Sequence, residues 1–286
     1  MNGPGRPVCE VSAAGQPART PLAVLLAWEP VMVVLLAWLA FISIPITLGG
    51  IGLSWDALNH HVYLGWTAER PRFDLDFLAA SYQSYQYPYL YWPVYRLVEA
   101  GLSGVFAGIV LATLHVIAVP PVWIIARVCM PDRTAFAMFM RLAAVALAFS
   151  TGVVLSLFDS TSNDLLAAAP LVWGIAFALL TLEGDGARST GIRQLLALSG
   201  LCVGVSVAFK LSNGPLAIVF PVLWAFSPPA GKRLGNVAIA MLASGVGFAF
   251  AYGPWGWQLW SHFGNPVYPF CDDWFAIVRS WLGRST

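Results

Sequence analysis

Charge is what this sequence has least of. Only 10% of its 286 residues are Asp, Glu, Lys or Arg, against roughly 25% in an ordinary soluble domain. Fifteen Lys/Arg face fourteen Asp/Glu, leaving a formal net charge of +1, so no field of one sign exists to steer a polyanion. A soluble enzyme, a disordered chain and a basic-patch nucleic-acid binder are excluded together. Cysteine is scarce too: Cys9, Cys129, Cys202 and Cys271. No pair has CxxC spacing, which leaves no zinc motif, no thioredoxin-like motif and no disulfide framework. Cys202, inside an apolar run, is a small core residue. No internal repeat, low-complexity stretch or second domain stands out, so an inverted-repeat transporter gains nothing from that side.

What the chain does have is apolar length. Hydrophobic residues make up 58% and mean hydropathy is +0.72. A helix needs about 20 mainly apolar residues to cross a bilayer core, and the sequence offers Pro21–Leu48, Leu102–Ala126, Thr134–Phe158, Asp164–Glu183, Gln194–Phe209, Leu216–Phe226 and Asn236–Trp257. The first is too long, and its flank too polar, for a cleaved signal peptide. These runs are continuous, without the ten-residue alternation of a membrane β-barrel, and backbone in lipid must satisfy its own hydrogen bonds. The expected fold is an all-α, polytopic transmembrane helical bundle of about seven spans. Residues 1–20 form a short cytoplasmic tail, 21–260 the bundle with an outer loop at 49–101, and 261–286 an outer-face tail.

Lys/Arg placement orients the bundle. With a cytoplasmic N-terminus, Arg6, Arg19, Arg127, Arg133, Arg188, Arg193, Lys232 and Arg233 fall inside. Arg70, Arg72, Arg96, Lys210, Arg279 and Arg284 fall outside. This requires Leu102–Ala126 to be one crossing and Leu90–Gly101 a short interfacial or re-entrant helix. A full crossing by Leu90–Gly101 would invert everything after it.

The outer face then collects the chemistry-bearing residues. Asp56 and His60, four apart, share a helix face, with His61 beside them. The carboxylate can act as a general base or help to bind a cation, and the imidazoles beside it can donate hydrogen bonds to a phosphate. It can equally be a wetted interfacial loop. The stretch from Tyr82 to Trp92, including Tyr87 and Tyr89, reads as an aromatic belt, a sugar contact surface, or both. Asp159 and Asp164 bracket a Ser/Thr/Asn turn that caps the next helix or supplies a second acidic site. Lys210 is a snorkelling lysine or a phosphate contact. Glu29 and Arg141 lie near inner span ends, within reach of the interface, and His115 reads as a packing histidine in mid-span.

Taken together, these elements resemble the polytopic GT-C class glycosyltransferases of bacterial membranes. The resemblance runs from about Pro21 to Phe270. It rests on Trp55-Asp56 with His60-His61-Val62-Tyr63, Tyr-Pro-Tyr-Leu-Tyr-Trp-Pro at 87–93, Ser-Thr-Ser-Asn-Asp at 160–164, Lys-Leu-Ser-Asn at 210–213 and Gly-Asn-Pro-Val-Tyr-Pro at 264–269. It implies inverting transfer of a sugar from a polyprenyl-phosphate carrier to a glycan, lipid or protein acceptor. The setting would be the periplasmic face of a bacterial inner membrane. Asp56 would be the catalytic residue. Asp159 or Asp164 would help with acceptor or metal (Mg or Mn). His60, His61 and Lys210 would hold the carrier phosphate, and Tyr63, Tyr87, Tyr89, Asn213 and Asn265 would contact substrate. A lipid or solute transporter or flippase is the alternative reading, and an inactive, truncated scaffold the third.

Overall fold

The computed structural model describes residues 21–183 and 189–283. The expected tail 1–20 with Arg6 and Arg19, and the residues Arg188 and Arg284, lie outside the described residues. The described residues are mainly helical: α1 (Pro21–Leu48), α2 (Val62–Thr67), α3 (Trp92–Glu99), α4 (Gly104–His115), α5 (Val119–Cys129), α6 (Ala135–Phe149), α7 (Gly152–Leu155), α8 (Asp164–Leu180), α9 (Ser189–Phe209), α10 (Gly214–Ala217), α11 (Phe220–Ala225), α12 (Arg233–Phe263) and α13 (Asp272–Trp281). Among the described residues, one extended stretch of four, β1 (Ala79–Tyr82), interrupts this pattern.

Among the described residues, four helical stretches are long and apolar enough to cross a bilayer: Val24–Leu48, Gly104–Cys129, Gly191–Phe209 and Arg233–Phe263. The chain is a multi-helix protein whose apolar helices suit contact with a lipid bilayer. Three further apolar helices are shorter. The run expected at Thr134–Phe158 stops at Phe149, because Ser150 bonds back to the Ala146 carbonyl and Thr151 caps the separate helix α7. α6 therefore rises only about 22 Å, against a hydrocarbon core of about 30 Å. The run expected at Leu216–Phe226 is broken into α10 and α11, each with a proline in its first turn. α3 is eight residues long, about 12 Å, and too short to cross.

Packing divides the bundle into two parts that share α8. One core gathers Val33 and Phe41 of α1, Val119 of α5, Val145 and Phe149 of α6, and Phe158 from the connection before α8. Phe41 stacks on Phe158 with ring centroids 4.0 Å apart, so that connection dips into the bundle. The other core joins α8, α9, α11 and α12. α9 and α12 run in the same direction and touch backbone to backbone: a Cβ on Gly200 or Gly204 would collide with the Ala240 or Ser244 carbonyl. Small residues permit this approach where no hydrophobic force separates helix from lipid. Serines bind the antiparallel neighbour α8: Ser199 Oγ donates to the Gly174 carbonyl and Ser206 Oγ to the Ala167 carbonyl, each at 2.7 Å. A third, aromatic core roofs one end, where Tyr85 and Phe73 of the long first loop pack on Trp255 and Leu259 of α12. The Trp255 indole N–H donates to the Tyr85 carbonyl at 3.1 Å, pinning the loop to the bundle.

Candidate functional site

The roofed end carries a cavity of about 560 Å³. Three segments remote in sequence build it: the first loop, the connection 156–164, and the end of α9. Their joint is tight, since the Gly52 N–H donates to the Asp159 carbonyl at 2.5 Å. Asp56, His60, His61, Asp159, Asp164 and Lys210 all line it.

Asp56 opens a short wide helical turn over Ala57–His61, a π-type geometry that recurs at functional sites. The turn sets His60 Nδ1 3.7 Å from Asp56 Oδ1, as the four-residue spacing predicts. Asp56 remains half exposed to the cavity, whereas both histidines are buried. His61 is held from two sides: its Nδ1 shares a hydrogen bond of 2.6 Å with Thr161 Oγ1, and Tyr91 stacks on its ring at 4.6 Å. Burial, reinforced by the adjacent His60, pushes the His61 imidazole down to about 4. Burial lowers His60 as well, against the opposing pull of Asp56. Both rings are therefore neutral near pH 7, and each offers a hydrogen bond rather than a charge. The Tyr91 hydroxyl is raised far above its ordinary range by burial and by the carboxylates of Asp164 and Asp56.

On the facing wall, Asp164 forms an ion pair with Lys210, and Ser162 Oγ donates to its other oxygen at 2.9 Å. Lys210 is thus the cation of the cavity, and Asp164 is its counter-ion. Among the described residues no group of three or more His, Cys, Asp or Glu converges closely enough to hold a metal ion.

The expected substrate contacts part company here. Asn213 spends its amide on the Ala167 and Ser206 carbonyls and on Ser206 Oγ, locking the turn after α9. Asn265, fully buried, donates to the Phe270 carbonyl and to Asp272, while its Oδ1 accepts from the Val267 N–H. Both hold turns and neither lines the cavity. Tyr63 turns away to donate to Asp76 Oδ2 at 3.2 Å, a carboxylate clamped by Arg72. Burial and Asp76 push its hydroxyl up to about 12. Tyr89 packs edge-on against Trp255. Tyr87 does line a space: an aromatic annex of about 210 Å³, shared with Tyr85, Tyr252 and Tyr268, which joins the main cavity at Gln86, Tyr91 and Lys210.

Sequence reasoning missed Gln83, Gln86, Tyr91, Ser160 and Ser162 as lining residues. Gln83, Gln86 and Tyr91 lie in the tyrosine-rich stretch, where the two glutamines are the signal that distinguishes a polar wall from an aromatic belt. At the opposite end Glu29 and Arg141, read from the sequence as lying near inner span ends, pair with each other out of solvent with two bonds of 2.6 Å. Arg141 also donates to the Met130 and Asp132 carbonyls, and Trp123 donates to Glu29. The pair clasps α1 to α6 beside a second cavity of about 800 Å³, whose rim carries another pair, Arg127–Glu183. His115 is buried edge-on against Phe158.

Fold and site together define a class: a multi-helix membrane protein with a charged, imidazole-bearing cavity at one end of its bundle. No protein-family model, no curated protein and no solved structure matches the chain.

Proposed function

We propose that the chain is a membrane glycosyltransferase, taking a sugar from a polyprenyl-phosphate carrier to an acceptor hydroxyl at the cavity end of a seven-span bundle. In this reading the cavity end is periplasmic and the N-terminus cytoplasmic. The observation that carries it is the convergence of Asp56, His60, His61 and Lys210 on one cavity that adjoins an aromatic annex. A carboxylate that is half exposed, with a neutral imidazole 3.7 Å away, suits a general base. A lysine across the cavity suits a leaving phosphate. Asp56 takes the proton of the acceptor hydroxyl as its oxygen attacks the anomeric carbon. The bond from that carbon to the carrier phosphate breaks, and the phosphate leaves with the electron pair toward Lys210 and the N–H of the neutral imidazoles. With His61 Nδ1 engaged by Thr161, Nε2 is the nitrogen left to face the phosphate. Fixed donors then wait where charge builds. Asp164 shares Lys210 in the resting protein and releases part of its charge to the incoming phosphate.

The test is mass spectrometry of cell-surface glycolipids and polysaccharides in a deletion strain complemented with wild type or with Asp56→Asn, both proteins being quantified in membranes. The expected result is a missing sugar increment that wild type restores and Asp56→Asn does not, a loss of at least about 10²-fold for general-base catalysis. Full restoration by Asp56→Asn would remove the catalytic role and favour transport through the bundle.

A further inference from the structure

α12 leaves the bundle with an exposed apolar face that includes Phe250 and Trp257. Gly264 closes it at φ 65°, and a Cβ there would lie 2.6 Å from Arg279 Cδ. The chain turns back through Asn265–Phe270 and enters α13 at Cys271, also at positive φ. α13 is held to the end of α12 from one side. Arg279, more than nine-tenths buried, pairs with both oxygens of Asp272 and donates to the Phe263 carbonyl. Phe275 packs on Trp260 with centroids 6.4 Å apart.

The rest of α13 divides by chemistry. At 3.6 residues per turn, Ile277, Trp281 and Trp274 fall within an arc of about 60°. They are 54%, 82% and 74% exposed. Phe270 and Leu282, at the two ends of the helix, are exposed as well. Asp273 and Ser280, also exposed, flank this arc on the side away from Val278. The helix therefore has three faces: one fixed to the protein, one polar, and one of two tryptophans and an isoleucine left exposed among the described residues. Tryptophan pairs an apolar body with an N–H donor, which suits the headgroup boundary.

We propose that α13 is an interfacial helix, docked on the bilayer at the cavity end with Trp274, Ile277 and Trp281 in the headgroup–acyl boundary. The occupant of this face is the lipid surface, because α13 is held directly against the end of α12, a helix with exposed Phe250 and Trp257 whose length and hydropathy fit a membrane crossing. A free amphipathic helix finds the interface through its whole apolar face. Here the Arg279–Asp272 clasp fixes which side meets the lipid, so α13 also sets how deep the adjoining cavity end sits. This inference does not depend on the glycosyl-transfer reading.

The experiment places single cysteines at Asp273, Ile277, Ser280 and Trp281 in a background in which Cys9, Cys129, Cys202 and Cys271 are replaced by Ser. The full chain is reconstituted in phosphatidylcholine vesicles and each cysteine is spin-labelled. Labels at 277 and 281 are expected to collide several-fold more with oxygen than with a water-soluble nickel chelate, and labels at 273 and 280 to show the reverse. Equal chelate access at all four positions would overturn the proposal by showing the face in water. Shielding of 277 and 281 from both reagents would overturn it by showing a protein cover, such as a second copy. A measurement that leaves the native cysteines in place backs this up. Of thirteen tryptophans, Trp274→Phe/Trp281→Phe removes two, and the share of emission quenched by brominated lipid is expected to fall. An unchanged share would count against the lipid assignment.

Discussion

His61 shows how one buried ring can be tuned by its setting. Thr161 and Tyr91 hold it in place, and burial holds it neutral. Its ordinary value of 6.5 applies to the unfolded chain and about 4 to the folded one. Between these values the unfolded chain binds a proton that the folded chain rejects, so this group makes folding less favourable as pH falls from about 6.5 to about 4 and contributes no slope above about 7. The thermal midpoint in detergent is expected to drop from about pH 7.5 to about pH 5, and His61→Gln is expected to flatten part of that drop. An undiminished slope in His61→Gln would assign it to other groups. The residue scale is also where the sequence was least legible. Asp56, His60, Asp164 and Lys210 were readable because charge and spacing limit what such groups can do. Asn213 and Asn265 were not, because an amide beside a turn serves a ligand or the backbone equally well, and only the fold shows which carbonyls lack a partner.

At the scale of elements, helix contacts decide where glycine matters. Gly204 sits against the α12 backbone, while Gly245 on α12 faces open space. Gly204→Val must push α9 and α12 apart and is expected to cost about 1–3 kcal/mol. Gly245→Ala is expected to be neutral or to gain up to about 1 kcal/mol, since alanine has the better helix propensity. Thermal unfolding of the two variants in one detergent checks both, and equal destabilisation would contradict the close crossing. The apolar runs located these helices well, because length and hydropathy are summed over many residues. Their breaks were harder to place. The stop at Ser150 and Thr151 and the split between α10 and α11 depend on a few hydroxyls and prolines inside otherwise apolar sequence.

At the scale of the molecule, polar groups are sorted to the two ends of an apolar bundle. The site end holds the first loop, the turn 156–164 and α13. The opposite end holds Arg127, Arg133 and Lys232. In sealed vesicles of one orientation, cysteines placed at Asp74 and Asp273 are expected to react with an impermeant maleimide from one side only. Cysteines at Arg133 and Lys232 are expected to react only from the other. Labelling of Asp74 and Arg133 from the same side would overturn the proposed seven-span arrangement, which needs an odd number of crossings between them. The basic loops made this end-to-end sorting readable in advance. The closeness of Asp159 to Gly52 was not readable, because it arises from a connection that dips into the bundle beside Phe41.

The clasp between Glu29 and Arg141 also has a meaning in time. The two residues are 112 positions apart in the chain, and a ribosome adding roughly 5–20 residues per second makes Glu29 some 6–20 s before its partner. For that interval the first helix carries a carboxylate whose buried seat does not yet exist. Final docking of α1 is therefore tied to the birth of α6, and the order of synthesis is written into the place where the two helices meet.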